Sequence, residues 1–374
     1  MTPDERTGVG TVEDLHASAS RLTGLDDFGD GDDGHVDGLR VLLGSYAREA
    51  GLTPAGSKWT RGLLRGALVS RLLAEAAWWQ LPQHAEVALP RPVFVTGLPR
   101  TGTTALHRLL TADPAHQGPE LWLTEAPQPR PPRGTWPDNP VFAMLQQAYR
   151  ALGMDGVHPM RPDRVEECWR LLCQSMTSVS FECTAYIPSY SSWLAGRDWT
   201  PAYRRHRRNL QLIGLNDQHR RWVLKNPGHL FALDALLAVY PDATVIQTHR
   251  DPRTVIASVC SLNAHASAGW STVFTGPVTG HAQLELWSRG LRRFREDRAH
   301  HDPSRFIDVR HEDLVSDPMR TVEMIYDRLG SVLSGPARSA VTEAVQRGTP
   351  KPAHVYDLAS YGLTPADVDR AFAI

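Results

Sequence analysis

Pro92-Val-Phe-Val-Thr-Gly-Leu-Pro-Arg-Thr-Gly-Thr-Thr104 is the stretch on which the fold turns. Val93–Val95 is a short β-branched and aromatic run, framed by Pro90 and Pro92, that leads directly into a glycine-bounded loop. The order reads strand, loop, helix. Gly97 and Gly102 permit backbone conformations that turn consecutive N–H groups inward. The following helix adds the partial positive charge of its N-terminus, so an anion can sit there. The spacing Gly97-x4-Gly102-Thr103-Thr104 is a P-loop skeleton with one change: Thr103 stands where the lysine normally follows the second glycine. The cation has moved to Arg100, inside the loop, where a planar fork suits a tetrahedral oxyanion and the bridging oxygen of a leaving group. Arg100, Thr101, Gly102, Thr103 and Thr104 are the expected anion-binding residues of this loop.

Three further runs read as buried strands: Trp222–Leu224, Ala243–Thr248 and Phe306–Val309. Helical segments at Leu230–Val239, Val255–Ser261, Ala282–Arg298 and Thr321–Leu329 alternate with them, which predicts an α/β fold with a central parallel sheet and flanking helices. Upstream, apolar residues from Leu39 to Trp79 recur at helical spacing, predicting two or three amphipathic helices. Residues 1–37 are rich in aspartate. An EF-hand loop starting at Asp30 would need glycine and glutamate where His35 and Val41 stand, so this segment reads as a solvated acidic loop. The proline-rich stretch 126–140 reads as a rigid surface connector. The expected organisation is an acidic N-terminal segment, 1–37, and one α/β domain, 38–374. Within that domain, 38–90 is helical, 91–125 carries the anion loop, 126–215 holds the connector and a helical acceptor side, and 216–374 forms the second half and tail.

The opening stretch resembles the 5′-phosphosulfate loop of sulfotransferases that use 3′-phosphoadenosine 5′-phosphosulfate (PAPS). Ala243-Thr-Val-Ile-Gln-Thr-His-Arg-Asp-Pro-Arg-Thr-Val-Ile-Ala-Ser258 resembles the same family's 3′-phosphate motif, and Arg250 and Ser258 keep its separation of eight residues. Asp308–Pro318, His354–Leu363, His158-Pro-Met160 and Glu166-Glu-Cys168 resemble the bacterial branch, and the similarity spans roughly residues 28 to 372. The resemblance implies a P-loop-like sulfotransferase fold, PAPS as co-substrate, adenosine 3′,5′-bisphosphate as product and no required metal. It also implies that Arg250 and Ser258 hold the 3′-phosphate. Independently, two anion-binding strand ends suit a nucleotide phosphorylated at both 5′ and 3′ positions. Sulfuryl carries less charge than phosphoryl, so arginine, lysine and helix dipoles suffice for it.

The chain departs from the family in several places. In the cytosolic branch a histidine after a later strand is the general base. The matching strand end here reads Leu224-Lys225-Asn226-Pro227-Gly228-His229, with Pro227 near the histidine's place. The Trp-Glu pair common before the connector is Trp122-Leu123, leaving Glu120 or Glu125 as substitutes. The C-terminal Arg-Lys-Gly loop has only a loose counterpart at Arg347–Lys351, so Lys351 is its candidate nucleotide contact. Lys225 ends a buried strand where ligands gather in open α/β folds, which suits it to neutralise charge on a transferred group. His158 suits a proton acceptor near neutral pH, and Glu167 is the second candidate, as base or as the group that orients His158. His229 competes with both.

Composition narrows the rest. With 374 residues, 41% apolar and 22% charged, the chain can build a sizeable core. Lys+Arg 40 against Asp+Glu 41 gives a net charge of -1, which argues against a general nucleic-acid partner. The run Arg204-Arg205-His206-Arg207-Arg208 reads as a solvated helix face. Cys168, Cys173, Cys183 and Cys260 form no CxxC pair, so they read as buried thiols rather than a metal site. No signal peptide and no apolar run of about 18 residues is present, so the expected setting is cytoplasmic with no membrane insertion. Trp169, Trp193, Trp199 and Trp270 suit either the core or an apolar acceptor pocket. The expected reaction is sulfuryl transfer from PAPS to a hydroxyl of a small or medium metabolite with an apolar part. A P-loop small-molecule kinase and a non-catalytic nucleotide-binding protein of the same fold are the alternatives. Oligomeric state carries no signature in the sequence.

Overall fold

The computed structural model describes residues 8–30, 33–151, 161–348 and 357–373. Helices α1 (Val12–Thr23), α2 (His35–Arg48) and α3 (Pro54–Gln80) precede strand β1 (Val93–Gly97). Helix α4 (Thr103–Leu110), strand β2 (His116–Gln117) and helices α5 (Leu121–Glu125), α6 (Pro140–Ala151), α7 (Trp169–Cys173), α8 (Pro188–Ala195) and α9 (Thr200–Ile213) lead to β3 (Arg221–Lys225). Then come α10 (Leu233–Val239), β4 (Thr244–His249), α11 (Pro252–Ala266), α12 (Gly276–Arg298) and β5 (Phe306–Arg310). Helices α13 (His311–Ser316), α14 (Pro318–Arg328), α15 (Gly335–Arg347) and α16 (Pro365–Phe372) follow.

The five strands form one parallel sheet in the order β2-β3-β1-β4-β5. Its register sorts side chains onto two faces, because successive residues of a strand point to opposite sides. Phe94 pairs with Leu224 and Val245, and Val245 with Phe306; all four lie in the larger core with the N-terminal helices, α9, α11 and α12. Val95 pairs with Ile246, and Ile246 with Ile307; these face a second core made with Leu106, Leu109 and Leu110 of α4, Val322 and Ile325 of α14 and Val341 of α15. Both faces of the central strands are covered, which is why β1 and β3 are built around the apolar runs Val93–Val95 and Trp222–Leu224. β1 is central, and the chain crosses over it to reach β4 after laying down β2 and β3. The C-terminal ends of β3, β1 and β4 therefore open on one edge at a reversal of strand order, where ligands bind in open α/β sheets.

The four expected strands and the helices between them are present; β1, β3 and β5 run a residue or two beyond their apolar runs, β4 is shifted by one residue, and α11, α12 and α14 begin earlier than expected. Other expectations need correction. The acidic N-terminal segment is not a plain loop: Leu15, Ser18 and Ala19 recur at helical spacing, bury one face of α1 and pack it on α3. Asp33 is buried, accepting from Arg71 Nη1 at 2.5 Å and Ser175 Oγ at 2.6 Å. The proline-rich connector is not wholly on the surface either. Its Arg130 is buried and donates to Glu120, Gln117, Asp217 and the Gly118 carbonyl at 2.6–2.9 Å. In α9, Arg204, Arg207 and Arg208 are exposed as expected, whereas Arg205 turns inward to Glu75 at 2.6 Å and Gln174 at 3.0 Å. Helix α10 starts only at Leu233, because the Asn226 side chain caps a tight turn over Pro227–Phe231. Cys168, Cys173 and Cys260 are buried free thiols, while Cys183 is half-buried.

Candidate active site

Three chain segments converge at the C-terminal edge of the sheet. The first is the loop between β1 and α4, where Gly97, Arg100 and Gly102 have φ of 141°, 66° and 91°. Gly97 is required: a Cβ there would lie 2.6 Å from the Thr248 carbonyl oxygen on β4. An arginine in the left-handed region is uncommon and costs energy, so surrounding contacts must hold it. They come from the second segment, the turn from β4 into α11. Arg250 Nη1 donates to the Arg100 carbonyl at 2.9 Å, and Arg100 Nε donates to Ser258 Oγ on α11 at 3.1 Å. The loop and the β4–α11 unit, read as two separate anion motifs, thus join at one place.

The loop's own hydroxyls divide their work. Thr101 is buried; its Oγ1 donates to the Leu98 carbonyl at 2.6 Å and lies 2.5 Å from Thr248 Oγ1. Its hydroxyl thus braces the loop from beneath. Thr248, which lies inside the Ala243–Ser258 stretch but is not singled out there, completes that brace. Gly102 is the N-cap of α4 and provides no side-chain cap, so the first amides of the helix at Thr103 and Thr104 lack intrahelical partners. Among the described residues, the two Nη groups of Arg100 donate to no protein acceptor. Uncapped amides, a helix dipole and a free guanidinium edge form a cradle for a singly or doubly charged oxyanion.

The third segment is the end of β3. Lys225 pairs in register with Val95, so its side chain rises on the α4 face of the sheet and is fully buried. Its Nζ donates to Thr104 Oγ1 at 3.1 Å and to Glu167 Oε1. The backbone sets this meeting, since Cys168 N donates to the Lys225 carbonyl at 3.0 Å and anchors Glu167 beside the strand end. Glu167, with a side chain 20% exposed, is the more accessible partner, as a group exchanging a proton with a bound molecule must be. One turn further on α7, Arg170 pairs with Glu125 at 2.7 Å, and the Tyr149 hydroxyl on α6 donates to the same carboxylate at 2.7 Å.

The other candidates take different positions. His229 is fully buried against the edge of Phe94, with Nδ1 2.7 Å from the Tyr203 hydroxyl, and burial drives its pKa well below the usual histidine range. It is a neutral core residue. Glu120 is held by Arg130 at 2.9 Å and Glu125 by Arg170, so both carboxylates are engaged in ion pairs. His158 and Lys351 lie outside the described residues. Among the described residues no group of three or more histidine, cysteine or acidic side chains is placed to hold a metal. No described helix is long and apolar enough to cross a membrane.

The model of the sulfotransferase family matches residues 92–334, from the first residue of the loop stretch to beyond α14. The chain belongs to the sulfotransferase family. Over 249 residues it is 30% identical to omega-hydroxy-beta-dihydromenaquinone-9 sulfotransferase Stf3 of Mycobacterium bovis and of Mycobacterium tuberculosis. That match covers 64% of this chain and 62% of the relatives' length. Its fold is similar along nearly its whole length to the crystal structure of sulfotransferase STF1 from M. tuberculosis H37Rv. That similarity has 55% identity, a TM-score of 0.93 and coverage of 98% of this chain and 100% of that one. Sulfotransferase STF9 from Mycobacterium avium is similar at 25% identity and a TM-score of 0.88, over 97% of this chain and 95% of its own. The cradle, Lys225 and Glu167 all lie within the residues matched by the family.

Proposed function

We propose that this sulfotransferase moves a sulfuryl group from PAPS to a hydroxyl of a small or medium metabolite with an apolar part, in the cytoplasm, releasing adenosine 3′,5′-bisphosphate. The observation that carries the reading is the junction of Arg100 with Arg250 and Ser258. A donor bearing a 5′-phosphosulfate and a 3′-phosphate needs two anion sites at a fixed spacing, and here one arginine touches both. In this reading Arg250 and Ser258 hold the 3′-phosphate. Arg100, Thr103, Thr104 and the α4 amides hold the phosphosulfate, and Thr101 and Gly102 shape the loop that presents them.

Transfer is an in-line displacement. The bond between sulfur and the oxygen bridging it to phosphorus breaks, and its electron pair leaves with that oxygen on adenosine 3′,5′-bisphosphate. A new sulfur–oxygen bond forms to the acceptor, whose proton goes to the Glu167 carboxylate. Lys225 and Arg100 stabilise charge on the sulfuryl and bridging oxygens. In the ligand-free protein Lys225 is held between Glu167 and Thr104, so arrival of the sulfuryl group draws the ammonium toward it and releases the carboxylate for the acceptor. His158 is the alternative proton acceptor, with Glu167 then orienting it. The name of Stf3 specifies a hydroxylated acceptor with a large apolar body, which favours an apolar alcohol here too.

Incubation with PAPS and metabolite extracts, read by mass spectrometry, tests the function. A product heavier by one sulfuryl group, formed without added magnesium, is expected. A phosphoryl gain that needs ATP and magnesium would instead establish the kinase reading.

A further inference from the structure

Arg253 is the third residue of the β4–α11 motif that the donor reading leaves without work. It lies in the first turn of α11, between Arg250 before the helix and Ser258 two turns along. Asp251 caps that turn, accepting from Arg253 N at 3.1 Å, so the position of residue 253 is tied to the strand end that carries Arg250. The Arg253 side chain points to the C-terminal helix, where Nε and Nη2 make a two-pronged contact with Asp369 at 2.7 and 2.6 Å. Both side chains are about half exposed, at 53% and 50%.

Arg253 also lines an open groove of about 540 Å³. Thr254 and Ala257 of α11 form one wall, and Leu358, Leu363 and Pro365, just before and at the start of α16, form the other. The second wall is fixed to α11 by α16 itself, which buries Val368 and Phe372 against α11 and α12. The clasp ties α16 to the helix that carries Ser258 and follows directly on Arg250.

We propose that Arg253 and Asp369 form a positioning pair for the nucleotide donor. The clasp holds the C-terminal wall against α11 and so sets the turn from which Arg250 reaches the 3′-phosphate. This rests on the PAPS reading. The pair touches no reacting atom, so its effect falls on donor affinity and not on the transfer step. Bidentate geometry, rather than charge alone, is what it supplies.

The test measures donor and acceptor KM, kcat, and calorimetric affinity for adenosine 3′,5′-bisphosphate in wild type, Asp369→Asn, Asp369→Glu and Arg253→Lys. Asp369→Asn is expected to raise donor KM and nucleotide Kd by about five-fold, the upper range for an exposed pair, with kcat and acceptor KM within about two-fold of wild type. Asp369→Glu should restore most of the loss, and Arg253→Lys, which keeps the charge but not the fork, should fall between. Unchanged donor KM in Asp369→Asn overturns the proposal, as does a parallel rise in acceptor KM. Tighter nucleotide binding in Asp369→Asn also overturns it, because Asp369 would then be withholding Arg253 from the phosphate. Failure of wild type to bind adenosine 3′,5′-bisphosphate would overturn the donor reading itself and is visible before any variant is made.

Discussion

On the loop side of the cleft, the groups that act are backbone ones: the Arg100 carbonyl that holds Arg250, the Leu98 carbonyl that holds Thr101, and the uncapped α4 amides at Thr103 and Thr104. On the carboxylate side the contacts are ion pairs between side chains: Glu167 with Lys225, Glu125 with Arg170, Glu120 with Arg130. The first kind of site recognises a constant shape, the two ends of one nucleotide. The second can be rearranged by exchanging a few side chains while the sheet edge stays the same. A shared donor and a variable acceptor ask for such a division.

The carboxylate side should yield the largest effect. If Glu167 takes the acceptor proton, Glu167→Gln lowers kcat by about 10²–10⁴-fold and leaves nucleotide Kd within about two-fold, because the amide keeps the shape and accepts no proton. Retained turnover would move the base to His158. On the loop side, Arg100→Ala should lower kcat by about 10²–10³-fold, the usual loss when one donor to a developing charge is removed, and should weaken the nucleotide as well. An effect on KM alone would mean that Arg100 only binds. The two variants thus separate the sides by whether Kd moves with kcat.

A smaller effect tests the core beneath both sides. Burial lowers the pKa of His107 on α4 to about 4, that of His206 on α9 to about 3 and that of His229 well below 6.5. These rings are neutral when folded and take up protons near pH 6.5 when unfolded. Stability they contribute is therefore complete above pH 6.5 and lost as pH falls toward 4, by at most roughly 1.4 kcal/mol for each group per pH unit crossed. The melting temperature should drop between pH 7 and 5, and His206→Phe should flatten that slope. A flat profile in wild type would contradict neutral burial.

β1 and β3 were legible because burial on both faces makes the middle of each an apolar run, and β4 and β5 because β-branched and aromatic residues dominate them. β2 left no such signal, being only His116 and Gln117. Helix α1 was hidden because its aspartate-rich surroundings suggest a solvated loop, while Leu15 and Ala19, four apart, make the buried face. The loop and the Arg250–Ser258 motif were legible because their spacing is fixed along one strand–helix unit. Their meeting through the left-handed Arg100 was not, since 150 residues separate Arg250 from Arg100. The Glu167–Lys225 pair was equally hidden: both residues were candidates, but only the sheet edge brings together positions 58 apart.

Calorimetry of nucleotide binding without magnesium tests the joined donor site most directly. Wild type should bind adenosine 3′,5′-bisphosphate more tightly than AMP or ATP, and Arg250→Ala should erase that preference, a loss of about 1.5–3 kcal/mol for a hydrogen bond to a charged group. Equal affinity of wild type for ATP, or an Arg250→Ala variant that keeps its preference for the 3′-phosphorylated nucleotide, would contradict the account.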